Sequence, residues 1–139
     1  MEKDSYSDDE IRKFYSLKNI AVVGMSKNVD KAAHYVPKYL IDHGYNVIPV
    51  NPSATEILGR KSYGMISSIQ DRIDIVDVFR PSEDVPGVVE DALKKGGIKV
   101  IWMQEGIYSK EAESMAKEMD ISVVYNRCMM AEHRRLFRH

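Results

Sequence analysis

The sequence predicts an α/β fold: a Rossmann-like, doubly wound sheet of about five parallel strands with helices on both faces. Three observations carry this expectation. Five short β-branched, apolar runs punctuate the chain. Helical patterns of about 10–15 residues separate most of them, the alternation that builds βαβ units. Finally, 139 residues that are 44% hydrophobic and 29% charged suit one globular domain of ordinary size.

The elements follow in chain order. Asp8 to Leu17 reads as a leading helix. Asn19-Ile-Ala-Val-Val-Gly24 is an apolar run closed by glycine, hence a buried strand. Tyr35 to His43 is helical and stops at Gly44. Proline is tolerated in a helix only in the first turn, so Pro37 places that helix's start near Tyr35. This leaves a loop of about ten residues after Gly24, long for an α/β unit. Asn46 to Asn51 is the second strand, and its Pro49, which cannot donate a ladder hydrogen bond, argues against a fully central position. Asp74 to Phe79 is the third. Glu83 to Lys95 is a helix with Ser82 as N-cap and Gly96-Gly97 as its stop. Ile98 to Met103 is the fourth strand, Ser109 to Met119 a helix, Ile121 to Tyr125 the fifth strand, and Met129 to Phe137 a closing helix. The chain thus divides into a leading helix (1–18), a βαβ core (19–127) and a C-terminal helical segment (128–139) of one domain.

Right-handed crossovers point to the strand order 3-2-1-4-5. A ligand then sits where that order reverses, at the carboxyl ends of the first and fourth strands. The expected crevice is built from the loops after Val23, Val50, Phe79 and Met103.

Composition excludes other classes. A net charge of −1 gives no whole-molecule field for nucleic acid or an anionic membrane. The single cysteine, Cys128, forbids an intrachain disulfide. The acidic N-terminus lacks an apolar signal region, and no apolar stretch approaches the roughly 18 residues of a membrane span. A cytoplasmic location is expected.

The first loop, Gly24-Met-Ser-Lys-Asn-Val-Asp-Lys31, keeps only the first glycine of the dinucleotide fingerprint G-x-G-x-x-G. The second strand ends in Asn51-Pro52, with no carboxylate for a ribose hydroxyl, so a standard NAD site is not expected. Ser26, Lys27 and Lys31 lead instead into a helix N-terminus, which favours a phosphate-rich ligand. His34 stands at that helix start. In the third loop Arg80 stands at the crevice rim beside Pro81. The fourth, Met103-Gln-Glu-Gly106, carries a lone carboxylate, Glu105, without a partner for acid–base work.

Five stretches in this order resemble a known family: Ile20-Ala-Val-Val-Gly-Met-Ser26, Gly44-Tyr-Asn-Val-Ile-Pro-Val-Asn-Pro52, Asp74-Ile-Val-Asp-Val-Phe-Arg-Pro81, Val100-Ile-Trp-Met-Gln-Glu-Gly-Ile107 and Asn126-Arg-Cys-Met-Met-Ala-Glu-His133. The chain is similar, from about Tyr15 to Phe137, to the small stand-alone coenzyme A-binding proteins. It also resembles the N-terminal CoA-binding domain of the succinyl-CoA synthetase α subunit. The resemblance implies CoA, or an acyl-CoA, as the ligand. It implies that Gly24, Met25, Ser26 and Lys27 wrap phosphates, with Lys31 as a cation where many relatives carry arginine. It implies that Asn51, Pro52, Phe79, Arg80 and Pro81 flank the nucleotide end, and that Met103, Gln104, Glu105 and Gly106 contact CoA. Ala33 stands where relatives often have serine.

No catalytic constellation accompanies these loops, so a non-catalytic binding, sensing or carrier module is expected, monomeric or homodimeric. Two alternatives stay open. Cys128, beside Arg127, is a candidate nucleophile for thiol–disulfide or acyl-transfer chemistry, although a structural role suits a lone cysteine at a strand–helix junction. Lys27 and Lys31 are also candidates for the 2′-phosphate of NADP. His34, His43, His133 and His139 show no metal-ligand spacing.

Overall fold

In the computed structural model, which describes residues 1–138, the apolar runs become strands because each alternates between two buried faces. The elements in chain order are α1 (Asp8–Phe14), β1 (Asn19–Val23), α2 (Ala32–Asp42), β2 (Asn46–Val50), β3 (Glu56–Ile57), β4 (Arg60–Lys61), β5 (Ile75–Val78), α3 (Val85–Lys95), β6 (Val100–Met103), α4 (Lys110–Glu118), β7 (Ser122–Val124) and α5 (Met129–Leu136). His139, the end of the expected helical segment, lies outside the described residues.

Five parallel strands form one sheet in the order β2-β1-β5-β6-β7. Ala21, Val23, Val76, Val78, Ile101 and Met103 face α3 and α4, meeting Val85, Val89, Ala92, Ala112 and Ala116. Ile20, Val22, Ile75, Val100 and Trp102 face α1, α2 and α5, meeting Ile11, Val36, Leu40 and Met129. Burying each such large side chain contributes about 1.5–3 kcal/mol. On the second face one position breaks the apolar pattern. Asp77 is 0% exposed between Val22 and Trp102 in register.

The α/β class is as the sequence predicts, but the strand order needs correction. Counting only the five predicted strands, it is 2-1-3-4-5 rather than 3-2-1-4-5. The cause lies in the connection between β2 and β5, which holds no α-helix. It holds the β3–β4 hairpin and a 3₁₀ turn, Ile66–Ser68. This connection itself covers the outer edge of β2. Tyr63 N–H donates to Pro49 O at 3.0 Å, Asn51 N–H donates to Tyr63 O at 2.8 Å, and Arg60 reaches Val47 O at 3.3 Å. With that edge taken, the next strand pairs on the free side of β1. The 3₁₀ turn is tied to α3, since Asp91 accepts from the amides of Ile66 and Ser67. Pro49 does lie in an edge strand, where its missing N–H costs no ladder bond.

Two helix starts also differ from expectation. α2 begins at Ala32, with Pro37 inside it. A proline at position 37 withholds the amide that would reach Ala33 O. That carbonyl accepts from Ser26 N–H at 3.0 Å instead, so the proline costs no orphaned group and ties the loop after β1 to the helix. α3 begins at Val85 behind a 3₁₀ turn, Ser82–Asp84. Ser82 gives its hydroxyl oxygen to Tyr108 N–H rather than to its own helix. α1 carries a full capping box between Ser7 and Glu10.

The N-terminal segment straps the β7 side of the sheet. The Asp4 carboxylate accepts from Arg127 Nε and a terminal guanidinium nitrogen at 3.0 and 2.7 Å and from Tyr125 N–H at 3.0 Å. Both side chains are almost fully buried. No helix among the described residues is long and apolar enough to cross a membrane.

Candidate functional site

The corrected order moves the switch point to β1 and β5, whose carboxyl ends lie side by side. There the chain opens into a crevice of about 580 Å³. Its centre is Gly24, which follows β1 at φ +86°. Gly24 N–H donates to Val50 O at 2.9 Å, and Phe79 N–H donates to Val23 O at 2.9 Å. The loop is therefore clamped by both neighbouring strands. A Cβ on residue 24 would sit 2.4 Å from the Phe79 carbonyl oxygen, so only glycine fits this crossing.

Three of the four expected loops meet here. Gly24, Met25, Ser26 and Lys31 line the crevice from the first, Asn51 and Pro52 from the second, and Phe79 and Arg80 from the third. The loop is braced from within. His34 Nδ1 lies 2.7 Å from Ser26 O, Ser26 Oγ accepts from Asn28 N–H, and Asn51 donates its side-chain amide to Met25 O at 2.9 Å. His34 is buried and does not line the crevice; it holds the loop that does. Lys27 is exposed and does not line the crevice, and Pro81 opens the turn that leads to α3.

The fourth loop lies one strand further along and does not line the crevice. Met103 is core. Gln104 is buried between Asp77 and the amide of Met129. Glu105 is exposed, and Gly106 N–H donates to Asn126 Oδ1 at 2.7 Å. Ala33, where the resemblance implies that relatives often carry serine, lines the crevice, and so do Val23, Val50 and Val88, which sequence reasoning did not place there. Val23 and Val50 end their strands, a signal present in the sequence. Val88 comes from α3, which reaches the crevice only because β5 adjoins β1.

The electrostatics are one-sided. Lys31 and Arg80 supply cations, and among the described residues no carboxylate, imidazole or thiol lines the crevice. Arg80 is steadied by Asp84 at 2.6 Å. Lys31 is the N-cap of α2 and makes no side-chain cap bond; the His34 amide donates to Lys31 O at 2.9 Å, which leaves the amides of Ala32 and Ala33 at the helix start to face an anion. Cys128 is elsewhere, half-buried at the start of α5, where Sγ accepts from Ala131 N–H at 3.5 Å. Among the described residues no three His, Cys, Asp or Glu side chains gather as a metal site.

The comparisons with known proteins agree with this geometry. Residues 18–134 match the model of a family described as CoA binding domain. The chain belongs to that family. This CoA-binding domain is 43% identical to the uncharacterized protein YneT of Bacillus subtilis (strain 168), over 84% of the chain and 85% of that protein. It is 30% identical to an ADP-forming acetate–CoA ligase of Methanocaldococcus jannaschii over 88% of the chain, but spans only 18% of that enzyme. A solved structure of a hypothetical protein from Pyrococcus horikoshii OT3 superposes with a TM-score of 0.92 at 43% identity, covering 99% of each chain.

Proposed function

We propose that the crevice binds CoA or an acyl-CoA and that the protein works as a non-catalytic binding, sensing or carrier module. The observation that carries this reading is a crevice lined, among the described residues, by Lys31 and Arg80 and by no carboxylate, imidazole or thiol, opening on a helix N-terminus without a side-chain cap in a CoA-binding domain. CoA carries a pyrophosphate and a ribose phosphate, which such a surface stabilises. Gly24 to Ser26, the start of α2 and Lys31 receive phosphate. Asn51-Pro52, Phe79 and Arg80 flank the nucleotide, with Val88 adding an apolar wall.

Native mass spectrometry with equimolar CoA, dephospho-CoA, NAD and NADP tests the reading. CoA is retained selectively, and dephospho-CoA more weakly. Retention of NADP instead, or of no ligand, overturns it. Lys31→Gln and Arg80→Gln each weaken CoA binding about tenfold, measured by calorimetry, because each removes one charge-assisted contact. The Arg80 variant changes stability little, since its exposed pair with Asp84 contributes about 0–1 kcal/mol.

Cys128→Ser binds CoA as the wild type does. A serine hydroxyl is a better N-cap acceptor than a thiol, so this variant is at least as stable. A CoA adduct on Cys128 that survives denaturation and yields to reductant would instead favour the thiol chemistry.

A further inference from the structure

Beneath the crevice lies a buried carboxylate that the binding site does not use. Asp77 is 0% exposed. Its Oδ1 accepts one hydrogen bond, from the Gln104 side-chain amide. Gln104 Oε1 accepts from Met129 N–H at 3.2 Å, which fixes the amide with its NH₂ group toward Asp77. Oδ2 has no partner among the described residues.

Among the described residues no cation compensates this group. β1 presents Val22, and β6 presents Trp102, whose indole N–H is engaged by Arg127 O. α2 contributes Val36 and Leu40 to this face, while its His34 turns to Ser26 O. The end of α1 brings the phenol of Tyr15, whose hydroxyl donates to Met129 O. α5 brings the thiol of Cys128, with Glu132 held by Arg127 and Arg135 and His133 against the Tyr39 hydroxyl. The Arg127 guanidinium is bound to Asp4 and Glu132. A carboxylate in such a place ionises only at considerable cost, so burial favours its neutral, protonated form.

Asp77 also lies close to the crevice. It precedes the crevice residue Phe79 by two positions, and its partner in register, Val22, directly precedes Val23. Met25 lines the crevice and belongs to the same apolar cluster as Val22 and Trp102. At about 3.3 Å per strand residue, an anion in the crevice comes to within roughly 10 Å of the carboxyl group.

We propose that ligand binding in the crevice is proton-linked through Asp77: the anionic ligand enters with uptake of a proton by this buried carboxyl group. The proposal rests on the reading of the crevice as a CoA site and adds its regulation. Burial pushes the Asp77 carboxyl up to about 7, which the Gln104 hydrogen bond only partly offsets. The free protein therefore begins to ionise Asp77 near neutrality. A negative ligand opposes that ionisation. At an effective dielectric of about 20 and roughly 10 Å, the opposition amounts to about one pKa unit, or a roughly tenfold effect on affinity. Affinity is flat below neutrality, falls as pH rises from about 7 to about 8, and then levels.

The test is calorimetry of CoA binding at pH 6.5, 7.5 and 8.5, each in two buffers of different ionisation enthalpy, for the wild type and Asp77→Asn. Asparagine copies the shape of the neutral acid and keeps the oxygen that Gln104 needs. Comparing the two proteins removes the titration of the ligand's own phosphates. The wild type loses about sixfold more affinity across this range than the variant, and at pH 7.5 takes up about half a proton more per CoA. Identical pH profiles overturn the linkage. The wild type alone supplies a second readout, the side-chain carboxyl carbon shift of Asp77 followed by NMR. Its midpoint moves up by about one unit with saturating CoA, and an unmoved midpoint overturns the linkage while CoA binding stands. Absence of CoA binding by the wild type at every pH overturns the CoA reading and the linkage with it.

Discussion

Arg127→Met destabilises the protein by about 3–5 kcal/mol, the usual loss when one partner of a buried ion pair is removed. The melting temperature falls by roughly 10–20 °C for a chain of this size. The guanidinium is 2% exposed and the Asp4 side chain 5% exposed, so neither charge has water to fall back on. Methionine replaces much of the aliphatic stem but leaves the Asp4 carboxylate without its cation. Arg127 also donates to Tyr6 O, so the segment before α1 loses two anchors at once. Most of the loss is the cost of the stranded charge rather than the net worth of the pair. The double variant Arg127→Met/Asp4→Leu therefore recovers most of the stability, as chemical denaturation at pH 7 with the single Trp102 as probe will show. A loss below about 1 kcal/mol in the single variant would mean that the strap is solvated in solution and the pair is an ordinary surface one. CoA binding is little changed in the folded fraction, because Arg127 lies outside the crevice.

What the sequence discloses follows from how local each cause is. The five strands were legible because each is a short apolar run ended by a turn former, and those signals sit within a few residues. Pro49 argued against a central place for β2 for the same reason, though the expected order still set that strand between two others. The strand order was not legible, since it depends on Tyr63 and Arg60 covering the edge of β2, and nothing local in either residue declares that partner. This one long-range choice then decided which loops meet. It brought Val88 to the crevice and left Met103 to Gly106 one strand away. The start of α2 was hidden differently. Pro37 reads as a helix boundary from its own chemistry, and only the Ser26 amide, eleven residues back, explains why it is tolerated further in. Asp77 shows the converse. Nothing in the run Asp74-Ile-Val-Asp-Val-Phe79 marks its middle aspartate as buried, and only the helices packed on both sides of β5 make it a buried acid.

Gly24→Ala lowers CoA affinity by about 100-fold or more and stability by about 3–5 kcal/mol, and Gly44→Ala separates the causes. Both glycines have φ near +90°, so each alanine bears a backbone cost of about 1–3 kcal/mol. They differ in their surroundings. An added Cβ at Gly44 meets nothing within 4 Å, whereas at Gly24 it meets the Phe79 carbonyl oxygen at 2.4 Å. That oxygen belongs to backbone whose amide is already bonded to Val23 O, so relief requires parting the ends of β1 and β5. Overpacking of this kind adds about 1–3 kcal/mol, and here the strain falls on the two loops that carry Ser26 and Arg80. Gly44→Ala thus loses only the backbone term and keeps full CoA affinity, because Gly44 follows α2 at the opposite end from the crevice. Denaturation curves and CoA titrations of the two variants, measured together, decide the matter. Equal losses of stability and equal affinities would mean that the approach of Gly24 to Phe79 is not what shapes the site. A deficit confined to Gly24→Ala ties CoA binding to the one place where strand order, glycine and crevice coincide.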